Sequence, residues 1–92
     1  MEIKKEDEER IINCGAFEYS AQKIAYLFGF DKNDVMREMD NKESKINQLL
    51  QKGKEMADYV IDLKLFEMAK IGDLKALERL EIRKSKRIRK IN

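Results

Sequence analysis

The stretch Ala25-Tyr-Leu-Phe-Gly29-Phe-Asp31-Lys-Asn-Asp-Val35 reads as two short helices joined by a tight turn. Ile24, Ala25 and Phe28 share one face of the first helix, with alanine where two helices cross closely. Gly29 suits the positive backbone angle after a helix end, and Asp31 suits the cap of the next helix. Val35 and Met36 then return apolar groups to the pair, which is the spacing of a helix-turn-helix. Ser20 is a good N-cap, and Ala21, Ile24, Ala25 and Phe28 keep the i, i+3, i+4, i+7 pattern. The second helix is expected from about Lys32 to Met39, burying Val35, Met36 and Met39. The aromatics Phe17, Tyr19, Tyr26, Phe28 and Phe30 are expected to fill the core of this pair.

Upstream, residues 2–10 are almost wholly charged and begin an exposed helix that turns apolar at Ile11, Ile12 and Cys14. Gly15 is expected to fray or end it. Downstream, Asp40-Asn41-Lys42 interrupts the pattern, and Asp40 with Glu43 three residues later resembles a capping box. The longest element then runs from Glu43 to Ile71, with Ile46, Leu49, Leu50, Met56, Ala57, Val60, Leu63 and Phe66 at spacings of three and four. Gly53 inside it costs about 1 kcal/mol relative to alanine. Two readings stay open there: a shallow strip with Ala57 for a closely packed helix, or a kink. Gly72-Asp73 marks the clearest boundary, a helix stop followed by a new cap. Leu74, Leu77 and Leu80 are expected to pack back on the long helix as an antiparallel hairpin. From Arg83 the apolar face is lost, and the basic run is expected to be a frayed extension.

Ninety-two residues without proline, with four glycines and no alternating β-branched run, predict an all-α protein. The layout is an N-terminal helical region (1–41, helix-turn-helix at about 20–39), a long helical hairpin (42–82) and a basic tail (83–92). A chain this short favours oligomerisation. With one cysteine and no histidine, an intramolecular disulfide, the usual zinc sets and Ser–His or Cys–His catalysis have no basis. No phosphate-cradling glycine loop occurs, so neither an enzyme nor a cofactor is expected. No apolar run reaches membrane-spanning length and the first ten residues are charged, so the cytoplasm is the expected location.

Charge is unevenly placed. Arg83, Lys84, Lys86, Arg87, Arg89 and Lys90 stand in the last ten residues without one acidic neighbour, whereas residues 1–82 hold 14 basic against 18 acidic side chains. A cationic terminus fits an acidic partner, nucleic acid above all, or serves solubility. Six phosphate contacts from it would add about −5 to the log-affinity versus log-salt slope. In the helix pair, Lys32, Asn33 and Arg37 face outward for groove contacts, and Ser20, Gln22 and Lys23 can fix the DNA backbone. Residues 31–42 carry three basic and four acidic side chains, which fits weak, multivalent binding of double-stranded DNA. A plain packed hairpin is the alternative reading of residues 20–39.

Residues 11–82 together resemble the small subunit of a tailed-phage terminase. The likeness lies in the helix-turn-helix (Ser20 to Met39), in Gly53-x-x-x-Ala57-Asp58-Tyr59, and in Leu65-Phe-Glu-Met-Ala-Lys-Ile-Gly-Asp-Leu-Lys-Ala-Leu77. The Ala69…Gly72-Asp73…Ala76-Leu77 junction is its most recognisable part. The resemblance implies a phage DNA-packaging component in the bacterial host cytoplasm that recognises viral DNA and regulates a large subunit carrying ATPase and nuclease activity. It further implies a homo-oligomer built through residues 43–82, with Lys32, Asn33 and Arg37 on DNA and the basic tail on DNA or the motor. Two other readings are a helix-turn-helix transcription regulator working as a twofold dimer, and a helical protein-interaction module without DNA.

Overall fold

Ser20 and Asp31 start helices, as their side chains suit them to do. The computed structural model describes the backbone of residues 2–91 and the side chains as far as residue 88. Those residues form a 3-10 turn, Lys5–Asp7, and five α-helices with no strand: α1 (Glu8–Ala16), α2 (Ala21–Phe28), α3 (Lys32–Asp40), α4 (Lys45–Lys70) and α5 (Leu74–Ile91). The chain is all-α. It divides into two compact units, Met1–Ala57 and Asp58–Asn92, a division that falls inside α4.

In the first unit, Cys14, Ile24, Ala25 and Val35 are buried together, with Tyr19, Phe28, Phe30, Met39 and Leu50 packed around them. Ser20 Oγ accepts from the Lys23 N–H at 3.2 Å, and Asp31 Oδ1 accepts from the Asn33 and Asp34 N–H groups at 2.8 and 3.1 Å. Each bond satisfies an amide that the first helical turn leaves without a partner. Gly29 takes φ 71°, and the Phe30 N–H closes back on the Ala25 carbonyl at 2.9 Å. Three residues thus turn α2 into α3.

Two expectations for this region need correction. Tyr26 and Phe17 do not enter the core: they are 86% and 62% exposed. Tyr26 lies two residues from buried Ile24, about 200° around the helix, so it points away when Ile24 points in. Met36 is likewise exposed beside buried Val35. The second correction concerns the cap of α4, which is Ser44 and not Asp40. Ser44 Oγ accepts from the Asn47 N–H at 3.1 Å while its hydroxyl donates to the Glu38 carbonyl at 2.5 Å, and Asn47 Nδ2 donates to the Met39 carbonyl at 2.6 Å. One buried serine therefore serves the end of α3 and the start of α4.

Gly53 is interior to α4, Gly15 is the penultimate residue of α1, and both are buried. A Cβ at Gly53 would overlap the Ile12 carbonyl, and one at Gly15 would overlap the Leu50 carbonyl. Backbone meets backbone where α1 crosses α4. Gly53 is thus the shallow strip rather than a kink, and α4 runs through it unbroken.

α1 ends with Glu18 at φ 57°, the one non-glycine residue with positive φ among those described. The Tyr19 N–H bonds to the Cys14 carbonyl and the Glu18 N–H to the Gly15 carbonyl, both at 3.1 Å. That is the Schellman closure, whose left-handed position favours glycine. Glu18→Gly is expected to raise the unfolding free energy by about 0.5–1 kcal/mol, the relief of Cβ strain less the added freedom of the unfolded chain. Urea denaturation measures it, and a loss of stability would mean that the Glu18 side chain holds something in place.

α4 ends by the same closure with glycine in that position. Gly72 has φ 102°, and Asp73 then caps α5 through Oδ1 on the Ala76 N–H at 3.0 Å. In the second unit the row turned towards α4 is Ala76, Leu80, Arg83 and Arg87, not the leucine stripe. Ala76 is buried, whereas Leu74 is 77% and Leu77 43% exposed. The rotation follows from the ion pairs of Arg83 and Arg87 with α4 and from the small side chain of Ala76. Nor is the basic run frayed: α5 continues through it to Ile91.

Candidate nucleic-acid interface

α3 presents Lys32, Asn33, Met36, Arg37 and Asp40 to solvent. Asn33 and Arg37 are four residues apart and so share one side of the helix. Lys32 lies on the side of Met36. Arg37 is ion-paired within α3 to Asp34, a surface pair that restrains the guanidinium without removing it from solvent. Asp34 and Glu38 are half-buried, and Asp40 is exposed. The exposed surface therefore mixes signs.

Ser20, Gln22 and Lys23 are all exposed at the start of α2. Ser20 Oγ is engaged as an acceptor by its cap bond, which leaves its hydroxyl proton free to donate. The Lys23 ammonium sits 3.9 Å from the centre of the Tyr19 ring, a cation–π contact. Tyr26, unforeseen as a surface residue, follows Lys23 by three positions and Gln22 by four, so it extends the same side of α2. The signal was present in its 200° offset from Ile24.

The candidates in the second unit divide into two kinds. Lys84 and Lys86 are exposed, Lys84 within 3.3 Å of Glu81 one turn earlier. Arg83 and Arg87 are engaged in a cluster with α4. Arg83 Nε donates to Asp62 Oδ1 at 2.6 Å and its NH2 to Asp58 Oδ1 at 3.3 Å, while Arg87 NH2 meets Asp62 Oδ2 at 2.5 Å. The side chains of Arg89 and Lys90 lie outside the described residues. Sequence reading treated all six cations alike, because nothing in a basic run tells which members a distant carboxylate will engage.

Burial pushes the Asp62 carboxyl up, but the hydrogen bonds and charges of Arg83 and Arg87 outweigh it and hold the group below the usual carboxylate range. The hydrogen bond to Asp62 leads the causes that lift Arg83 further above its ordinary value, against some desolvation. Burial raises the Cys14 thiol, opposed only in part by Arg10 and Lys23, so the lone cysteine is a packed, protonated group rather than a thiolate nucleophile. Among the described residues no group of three or more Cys, Asp or Glu is placed to hold a metal, and no helix is long and apolar enough to cross a membrane.

The two units differ in charge. Residues 1–57 hold ten basic and twelve acidic side chains, residues 58–92 ten and six. Comparison with protein-family models, with curated proteins and with solved structures finds no match to this chain.

Proposed function

We propose that the chain is a non-enzymatic DNA-binding adaptor that works by avidity, in the manner of a terminase small subunit. The observation that carries this reading is the exposed polar row of α3, Lys32, Asn33 and Arg37, on a helix pair whose other side is sealed by Ile24, Ala25 and Val35. A three-residue turn with a left-handed glycine joins the pair, as a helix-turn-helix requires. The α3 surface is short of positive charge, and residues 58–92 supply it. Several weak heads carried on one homo-oligomer would bind duplex DNA more tightly than any head alone. In a phage, such an assembly would select viral DNA in the host cytoplasm and regulate the large packaging subunit.

Two measurements test this. Native mass with and without duplex DNA reads assembly and ligand together. Salt titration of DNA affinity reads the cations: with Arg83 and Arg87 engaged, the contribution of residues 83–92 to the slope would fall short of −5 by about 2. Lys84→Gln with Lys86→Gln is expected to flatten it by about 2. Truncation before Arg83 is a poorer probe, because it also removes the partners of Asp58 and Asp62. An unchanged slope would take α5 out of the mechanism. The acidic balance of residues 1–57 favours a second reading, a protein-interaction module whose head meets a basic partner. Absence of any DNA shift at low salt, with assembly retained, would favour that one.

A further inference from the structure

The chemistry of the second unit concentrates at one place. Asp58 and Asp62, one turn apart on α4, take up Arg83 and Arg87, one turn apart on α5. Both Asp62 oxygens are in use, Oδ1 by Arg83 and Oδ2 by Arg87, and Asp58 adds a second acceptor for Arg83. The four charges cancel. Arg83 and Arg87 belong to the ten-residue stretch that holds six cations and no acid of its own, so the carboxylates that neutralise two of the six come from the other helix.

The cluster is accessible. The side chains of Asp62 and Arg83 retain 24% and 28% of their exposure, those of Asp58 and Arg87 42% and 44%. Guanidinium groups with that access exchange a carboxylate for a phosphate or sulfate without a buried charge being left behind, since both anions accept the same forked donors. Apolar side chains at these four positions would hold two helices together at least as well, because ion pairs in a seam add little net stability. Closer to the turn the buried and half-buried side chains of the two helices include the apolar Leu65, Ala69, Ala76 and Leu80.

We propose that Asp58 and Asp62 are resident counter-anions that hold down the polyanion affinity of α5 by keeping Arg83 and Arg87 from contact with a polyanion, which leaves that contact to Lys84 and Lys86. The inference rests on the DNA-binding reading for the identity of the polyanion only.

The test uses the full chain with Asp58→Asn and Asp62→Asn, isosteric changes that keep acceptors for the arginines and remove the competing charge. Its control is Glu67→Gln with Glu78→Gln, which makes the same change in net charge at exposed carboxylates outside the cluster. Duplex DNA affinity across a salt series and the salt needed to elute from immobilised heparin are the two readings. The Asp58/Asp62 variant is expected to bind DNA about tenfold more tightly than the control at low salt, with a slope steeper by about 2, and to leave heparin at higher salt. Equal behaviour of variant and control on both would overturn the proposal. If the unaltered chain binds heparin but not DNA, the proposed function fails while the heparin comparison still judges the counter-anions. Should circular dichroism show that the double variant has lost helix, Asp58→Asn alone leaves both Asp62 bridges and is expected to steepen the slope by less than one unit. No difference between it and Glu67→Gln would be equally fatal.

Discussion

Gly53→Ala is expected to lower the unfolding free energy by about 3 kcal/mol, although alanine is the better helix former by about 1 kcal/mol. The sign follows from what the new methyl group meets. It would overlap the Ile12 carbonyl and press on the Ala16 amide, both backbone atoms, so no side-chain rotation relieves it. α1 and α4 must separate instead, and Cys14 on α1 and Leu50 on α4 both pack around the buried cluster of Ile24, Ala25 and Val35. Gly15→Ala is expected to cost a similar amount through the Leu50 carbonyl. The double variant should cost less than the sum, because once the helices have moved apart the second methyl finds room. Gly29→Ala separates the steric cause from the conformational one: nothing lies within 4 Å of its added Cβ, so only its φ of 71° opposes it, at about 1 kcal/mol. Denaturant midpoints with an unchanged m-value would rank Gly53 and Gly15 well above Gly29. A Gly53→Ala protein as stable as the parent would mean that α1 and α4 do not approach so closely.

That crossing shows where sequence reading reaches and where it stops. Ser20, Gly29, Asp31, Gly72 and Asp73 were legible because caps and left-handed turns are local: the side chain that satisfies an amide sits two or three residues from it. Gly53 was legible as an anomaly only, since a kink and a close approach demand the same residue. Its partner α1 could not be read from α4. The rotation of α5 failed for a related reason. Leu74, Leu77 and Leu80 repeat at three, the observed row Ala76, Leu80, Arg83 and Arg87 at three and four, and since a helix admits both spacings apolarity alone chose the leucines. The carboxylates that turn the helix the other way stand on a different element, more than twenty residues earlier. Ser44 displaced Asp40 as a cap because Asp40 is itself the last residue of α3, while Ser44 stands directly before Lys45, where α4 begins. For the candidate interface, exposure of Asn33 and Arg37 was foreseen from Val35 two residues from each and so on the other side of the helix, whereas the engagement of Arg83 and Arg87 had no local signal.

The full chain is expected to have a native mass above that of a monomer, and Tyr59→Glu with Phe66→Glu is expected to return it to one. Among the described residues of the second unit Ala76 is the one buried apolar side chain, while Tyr59, Val60, Phe66, Leu74 and Ile88 are half or more exposed. Two helices joined by one alanine contact, two leucines and an ionic cluster bury too little to stay ordered alone. The apolar surface that would make up the difference is in place. Tyr59, Leu63, Phe66 and Leu80 line one groove of this helix pair, and Ile61, Leu65 and Ile82 line another. Covering a side chain the size of phenylalanine contributes about 1.5–3 kcal/mol, so losing two half-covered aromatics and burying two charges instead weakens association by at least about 3 kcal/mol, more than a hundredfold in the dissociation constant. Because folding and association would be linked, the melting temperature of the parent should rise with protein concentration and that of the variant should not. The avidity mechanism depends on this outcome: single heads on a monomer with an acidic head unit would bind DNA weakly, and the Tyr59/Phe66 variant should lose DNA affinity without any change at Lys32, Asn33 or Arg37. A parent that stays monomeric at concentrations well above micromolar would remove the oligomer, and with it the avidity that the α3 surface needs.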